Sequence, residues 1–377
     1  MNNGHRPGCG SRLSFPGHVT HLVSGDLWGG AEAFVYALAS EQYDRDRASV
    51  SCLVMNPGQL ADLLIARGIP TTVLNESRQG FSSLLNSVME HVKRFDSAIL
   101  HGHRQKENVL ALASSLRRVT RVGHVTTLHG MPEPIRGANR ARLFVKNTLN
   151  YLTLRFGFDA VVAVSKDIER QLRARFPADL IRCVHNGVAI PSTKGLRSRP
   201  QSPRLRLLAL GRLVPIKRYD RLALICKELQ RTFGSDVQIT LAGDGPLNAE
   251  LTRLYEEAGV KIVMPGFVAD PAKLLEDTDG LLITSDHEGI PMSVLEALAA
   301  GVPVFGFAIG GLPEIVTDGS PLHLAPPYDI SALTERIARF FVVHEPGVRI
   351  PPPDAWPFLI SHSANEYAAL YSKVVQR

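Results

Sequence analysis

From residue 18 to residue 326, short apolar runs alternate with stretches of helical period, and this rhythm constrains the fold more than any other feature of the chain. Apolar runs of about four to eight residues bounded by turn residues read as buried strands, and patterns repeating near every 3.6 residues as amphipathic helices. In the first half, strands are expected at 18–24, 49–55, 70–75, 97–103, 121–129, 160–165 and 181–186, separated by helical patterns such as AEAFVYALASEQ and KDIERQLRARF. The stretch 191–204, PSTKGLRSRPQSPR, is rich in Pro, Ser and Arg and lacks periodicity, as an interdomain linker does. The rhythm restarts with strands expected at 206–213, 237–245, 260–267, 280–285, 302–308 and 322–326.

Strands that alternate with helices pack into parallel sheets covered on both faces. The expectation is therefore an α/β protein with two doubly wound, Rossmann-like parallel-sheet domains, 1–190 and 205–360, joined by the 191–204 linker and followed by a closing helix at 361–377. Open parallel sheets bind ligands beyond the carboxyl ends of their strands, so the site is expected in a cleft between the two domains.

Composition narrows the function classes. Hydrophobic residues make up 45% and charged residues 21% of the chain, close to globular averages, and no apolar run of about 18 residues exists to span a membrane. The polar, Gly-rich start lacks the apolar core of a secretion signal, so a cytoplasmic protein is expected. Cys9, Cys52, Cys183 and Cys226 lie far apart without metal-binding spacing and read as buried or idle thiols. A net charge of +6 favours acidic partners, but no nucleic-acid motif accompanies it. The stretch 136–156, with Arg136, Arg140, Arg142, Lys146 and Arg155 among apolar residues, fits an ordinary basic surface helix and equally an anionic membrane surface on the inner face of the cytoplasmic membrane.

The glycines need sorting. Gly25 and Gly30 have the spacing of a nucleotide cradle, but Ala31 and Glu32 stand where it needs Lys and Ser/Thr, so an ATPase is excluded. Gly29 and Gly30 still open a helix whose first N–H groups suit an anion. Neither half has G-x-G-x-x-G after its first strand, which argues against a dinucleotide oxidoreductase.

The second half carries the densest chemistry. In TSDHEGIPMSVLEALAAG (284–301) a strand end delivers Asp286, His287, Glu288 and Gly289, Pro291 is suited to the first helical position, Glu296 follows two turns on, and Gly301 stops the helix. Arg212 and Lys217 in GRLVPIK follow the first strand of that half, where a bidentate guanidinium and a compact amine suit a diphosphate. The glycines of AGDGP (242–246) allow close approach of a ring or ribose, and AIGGLPE (308–314) repeats the device of two glycines before a helix. His101 and His103, at a strand end of the first half, fit acceptor contacts or a plain loop role, while His124 reads as a strand residue. The D-x-D triplets 44–46 and 277–279 read as surface carboxylates, so no metal is expected.

These motifs, together with GGAE at 29–32, LHG at 128–130, HNGV at 185–188 and PGFV at 265–268, resemble the retaining, nucleotide-sugar-dependent glycosyltransferases of the GT-B fold, group 1 or family 4. EGIPMSVLE matches their E-x7-E signature, Glu288 to Glu296. The resemblance implies a transferase that moves a hexose-type sugar from a nucleotide-diphosphate donor to a glycan or lipid-linked acceptor, with no cofactor beyond the donor substrate. It implies that Arg212 and Lys217 hold the diphosphate, Glu296 accepts from ribose hydroxyls and Glu288 contacts the donor sugar. Gly289, Ile290, Pro291 and Met292 would line the phosphate or sugar, as would Gly243 at its turn. From the first half, His129 would approach the sugar, and Gly29 and Gly30 the phosphates and acceptor. His185 and Asn186 would position the hinge. A nucleotide-sugar 2-epimerase or hydrolase on the same fold, and an inactive sugar-nucleotide-binding partner, remain as alternatives.

Overall fold

The computed structural model describes residues 13–115, 121–130, 140–190, 204–353 and 355–376. Residues 191–203 of the expected 191–204 linker and Arg136 lie outside the described residues, as does Cys9. Seven strands form the first sheet: β1 (His18–Val23), β2 (Val50–Val54), β3 (Thr71–Val73), β4 (Ser97–Gly102), β5 (Gly123–Leu128), β6 (Ala160–Ala163) and β7 (Ile181–Cys183). Six form the second: β8 (Leu205–Leu210), β9 (Val237–Ala242), β10 (Ile262–Gly266), β11 (Gly280–Ile283), β12 (Val304–Phe307) and β13 (Leu322–Ala325). Every strand expected from the sequence is present.

All pairings are parallel, in the orders β3-β2-β1-β4-β5-β6-β7 and β10-β9-β8-β11-β12-β13. Each sheet reverses its winding once, between β1 and β4 in the first and between β8 and β11 in the second. At such a point the loops leaving two neighbouring strands diverge to opposite faces and leave a crevice, so the topology alone designates the loops after these four strands.

Burial explains the strand composition. Strands β2 and β6 are buried along their whole length, as strands covered on both faces must be; β6 reads as an unbroken apolar run and β2 as one interrupted only by Ser51. β1, β4 and β5 depart from that rule: Thr20, His21, His101, Thr126 and Thr127 are fully buried among their aliphatic residues. Such polar groups must be satisfied internally. The closing helix, Ile360–Val375, does much of this, because it leaves the second half and lies against the first sheet. Its Tyr371 hydroxyl is 2.7 Å from His101 Nδ1, its Tyr367 hydroxyl is 2.7 Å from Thr127 Oγ1, and Arg45 donates to Ser361 O at 2.8 Å and to Asn365 Oδ1 at 2.6 Å. A parallel bridge between Val188 and Leu359 marks where the chain passes between the halves.

The helix expected around 136–156 runs over Arg140–Gly157. Leu149, Leu152 and Phe156 on it are exposed, and the Arg155 guanidinium lies over the Phe156 ring. No helix among the described residues is long and apolar enough to cross a membrane. Cys52 and Cys226 are buried free thiols, and burial pushes the Cys52 thiol up to about 12.

Candidate active site

The second half builds its side of the site from the loops after β8 and β11. Beyond β8 the chain turns at Gly211, with φ +150°, and enters a single 3-10 turn, Pro215–Lys217. Thr284 donates to Lys217 O at 2.8 Å and Asp286 N donates to Ile216 O at 2.8 Å, which fastens this turn to the β11 loop. Lys217 Nζ thereby reaches Glu288 Oε1 at 2.7 Å, and the same oxygen accepts from Ser285 Oγ at 2.5 Å. Arg212 is different. It is exposed, and its side chain makes no hydrogen bond or ion pair among the described residues, so its five guanidinium donors are available.

The scaffold behind these groups was not legible beforehand. Arg221 donates to Thr284 O and to Asp286 Oδ1, each at 2.6 Å, while Arg218, in the left-handed region at φ +50°, clamps both Asp220 and Asp286. The Arg221 guanidinium also lies 4.7 Å from the centroid of the Tyr328 ring. Asp286, at the strand end, is a scaffold residue held by two arginines.

The helix that follows is Met292–Ala299, with Pro291 as the residue just before it, at φ −73° and ψ 128°, rather than its first residue as expected. Gly301, at φ +70°, ends it, as the sequence indicates. Glu296 is half-buried on this helix, and its carboxyl group has no hydrogen-bond partner among the described residues. Burial without a partner disfavours the carboxylate and pushes its pKa up to about 7. Glu296 is thus an acceptor waiting for donors.

Several glycines prove to serve chain packing. A Cβ on Gly243 would meet Gly211 O at 1.9 Å, and one on Gly310, at φ +50°, would meet Glu288 O at 2.0 Å. The approach expected of a ribose at AGDGP is, on the Cβ side of Gly243, made by the β8 loop itself. The Gly310–Gly311 turn likewise supports the Glu288 backbone, with Gly311 N donating to Glu288 O at 2.9 Å.

On the first half, Gly29 is the extended residue before the helix Gly30–Arg45 and has no side-chain cap to offer. A Cβ at Gly30 would lie 3.7 Å from Met292 Cγ, so this loop faces the second half directly. Glu32, buried within it, pairs with Arg104 through Oε1, and its Oε2 has no partner. Glu107, also buried, accepts from Ser24 and leaves its own Oε2 unpartnered. Burial raises the pKa of both carboxyls. None of this acid pair was singled out beforehand, because single carboxylates in a helical pattern carry no signal of burial.

The structure corrects the histidine expectations. His101 is fully buried, with Nδ1 on Tyr371 and Nε2 on Thr127 Oγ1, so both nitrogens are spent inside the domain and it lines no acceptor site. His103 is 2% exposed and lies between His21 and His129, at 3.1 and 3.2 Å, so it too is an internal link instead of an acceptor contact. Of the three histidines expected to touch ligands, His129, partly exposed, is the one that stays at the join, its carbonyl 3.1 Å from where a Cβ of Gly289 would be. His21, His101 and His103 are the only described side chains grouped closely enough to hold a metal ion. Their nitrogens are already engaged with Gln42, Tyr371, Thr127 and one another, which leaves no free donor set for one. His124 lies in β5 and is buried, as expected. Asp279, read as a surface carboxylate, is also corrected. It is fully buried and accepts from Arg206 N at 2.7 Å, tying the start of β11 to β8.

The halves meet through polar contacts. Glu314 of the second half accepts from Lys166 N and Asp167 N, at 2.8 and 3.0 Å, and so caps the first-half helix Lys166–Arg173 beside its own cap, Ser165. His185 Nε2 is 2.9 Å from the same carboxylate, His287 Nε2 is 2.9 Å from Asp167 Oδ2, and Asn186 donates to Ile290 O at 2.8 Å. Gly289 sits against Val164, Ile168 and the His129 carbonyl at 3.0 to 3.1 Å from its missing Cβ.

Comparison with known proteins agrees with this architecture. The Anabaena protein HepE, solved with UDP and glucose, superposes with a TM-score of 0.69 at 20% identity over 96% of this chain and 97% of its own. Sucrose-phosphate synthase from Thermosynechococcus elongatus does so at 0.64 and 18% identity, over 95% and 96%. Both share the GT-B fold seen here. In sequence, a protein described as colanic acid biosynthesis glycosyltransferase WcaL of Salmonella typhimurium is 30% identical over 177 residues, 44% of this chain and 41% of its own length. The chain thus spans less than half the length of that relative. N-acetyl-alpha-D-glucosaminyl L-malate synthase of Bacillus anthracis is 24% identical over 67% of this chain and 68% of its own. The model of glycosyltransferase family 4 matches residues 28–190, the half with the glycine loop and His129, and that of the glycosyl transferases group 1 matches 197–343, the half with Arg212, Lys217, Glu288 and Glu296. With both of its sheets accounted for in this way, the chain belongs to the group 1 glycosyltransferases of the GT-B fold.

Proposed function

We propose that the protein is a retaining glycosyltransferase that moves a hexose-type sugar from a nucleotide-diphosphate sugar to an acceptor hydroxyl in the synthesis of a cell-envelope polysaccharide or glycolipid. The observation that carries this reading is the pairing of an unengaged cation, Arg212, with the Lys217–Glu288 pair at the winding reversal of the second sheet, beside the unpartnered Glu296. The reading is supported by the names of its relatives in colanic acid and amylovoran biosynthesis and by the UDP and glucose in HepE.

In this reading Glu296 accepts from the ribose hydroxyls, and Arg212 and Lys217 hold the diphosphate. As the bond from the sugar's anomeric carbon to the phosphate oxygen breaks, negative charge grows on the departing diphosphate, and these fixed cations bind that charge more strongly than the intact ester. The acceptor oxygen bonds to the anomeric carbon on the same face, and its proton passes to the leaving phosphate oxygen. No further base is required. Glu288, already held by Lys217 and Ser285 on one oxygen, orients a sugar hydroxyl with the other and makes a poor nucleophile. The exposed apolar residues of the helix Arg140–Gly157, with Arg155, would let the first half rest on an anionic membrane. A flotation assay with anionic vesicles checks this, and failure to float removes it.

The test is a panel of UDP-, GDP- and ADP-sugars by thermal shift, then mass and NMR analysis of products with glycan acceptors. A new glycoside with the donor's anomeric configuration is expected. Conversion of the donor without an acceptor, to an epimer or free sugar, would overturn transfer.

A further inference from the structure

His21, His103 and His129 form a chain with a direction. Gln42 Oε1 lies 2.8 Å from His21 Nε2, His21 Nδ1 lies 3.1 Å from His103 Nε2, and His103 Nδ1 lies 3.2 Å from His129 Nε2. Burial holds all three rings neutral at physiological pH, with His21 down to about 4 and His129 to about 3, so each carries a single N–H. The Gln42 carbonyl only accepts, so His21 is assigned its proton on Nε2. Its bare Nδ1 then accepts from His103 Nε2–H, and the bare Nδ1 of His103 accepts from His129 Nε2–H. The last atom in the series, His129 Nδ1, is left with a lone pair, and it is buried with no hydrogen-bond partner among the described residues.

We propose that Gln42, His21 and His103 are positioning residues that fix His129 as its Nε2–H tautomer, so that Nδ1 is presented as an acceptor to a hydroxyl of the donor sugar. This rests on the glycosyltransferase reading above for the identity of the ligand, but the tautomer itself does not. The consequence is selectivity for substrate class: a sugar carrying a hydroxyl at the position facing His129 satisfies the lone pair, whereas a deoxy sugar leaves it bare and a carboxylate repels it. Sites built to hydrogen-bond a hydroxyl discriminate strongly against analogues lacking one.

The direct test is a long-range proton–nitrogen correlation spectrum of the full chain labelled with 15N-histidine, His129 being assigned by comparison with His129→Asn. The expected result at neutral pH is a protonated Nε2 and an unprotonated Nδ1 on His129; the reverse tautomer, or a charged ring, overturns the proposal whatever the enzyme's substrate proves to be. A second test compares Gln42→Met, which removes the acceptor that sets the direction, with Gln42→Glu, which keeps it. With whichever of UDP-glucose, UDP-N-acetylglucosamine and GDP-mannose supports turnover, Gln42→Met should lower kcat/KM for the sugar nucleotide by about tenfold while the Kd of the sugar-free nucleoside diphosphate stays unchanged, and Gln42→Glu should restore most of the loss. Equal losses in both variants, or equal weakening of the sugar-free nucleotide, overturn the positioning role. Failure of every nucleotide to bind would instead count against the proposed function and leave the spectrum to decide the tautomer.

Discussion

Lys217 and Glu288 meet at 2.7 Å across the two loops that flank the winding reversal of the second sheet, with Lys217 a quarter exposed and Glu288 about one-tenth exposed. Each is the other's counter-ion in this structure, so neither can be altered alone without leaving an uncompensated charge. The pair should be coupled: in a double-mutant cycle with Lys217→Met and Glu288→Gln, chemical unfolding is expected to give an interaction energy of about 1–3 kcal/mol. A coupling near zero would mean that the contact contributes nothing beyond its members.

Arg212 has no partner to lose. Arg212→Ala should therefore lower kcat by about 10²–10³-fold, the scale seen when one preorganised charge-stabilising donor is removed, while leaving the melting temperature within experimental error. Parallel turnover and calorimetry measurements check this, and equal damage to both would make Arg212 a structural residue.

Glu296 should make both stability and binding depend on pH. Its pKa in the folded chain, about 7, lies above the ordinary value of 4.5, so between those values the folded state holds a proton that the unfolded state has released. Stability must then fall as pH rises through this window, and Glu296→Gln should flatten the fall, with little effect near pH 4 and stabilisation above pH 7. Donors from a ribose favour the ionised form, so a nucleotide sugar, which has no phosphate group titrating in this range, should bind more tightly at pH 8 than at pH 6 and release protons on binding. Calorimetry in buffers of differing ionisation enthalpy measures that release, and Glu296→Gln should abolish it.

Gly310→Ala should disturb Glu288 without touching its side chain. The new methyl would fall 2.0 Å from Glu288 O, in a backbone conformation that L-residues rarely adopt, so a loss of more than about 1 kcal/mol in stability is expected together with weaker donor binding. Alanine at Gly266, also at positive φ but with open space around it, should cost stability alone.

The sheets could be read in advance because β6 and β11 are unbroken apolar runs closed by turns and β2 and β8 are interrupted by one polar residue each, Ser51 and Arg206, and a buried parallel strand leaves few other readings. Arg212, Lys217 and Glu288 could be nominated because they follow strand ends in sequence, and Glu296 because it lies on the helix that the second of these loops leads into. The histidines could not be placed this way. His101 and His103 look like loop residues at a strand end, and only the closing helix, some 270 positions away, encloses His101 with Tyr371. Glu314, Arg218 and Arg221 were equally silent, since capping another domain's helix or clamping a neighbouring loop depends on relative placement, which no local pattern records.

The Glu314 cap has a mechanical meaning. Where the halves touch through a carboxylate on two amide hydrogens, through His287 and Asp167, and through Asn186 and a carbonyl, every group that separates can be taken up by solvent. Apolar contacts share the seam, Gly289 lying against Val164 and Ile168, but such contacts carry no direction. The polar latch does, so the register in which the halves meet is dictated by a helix end.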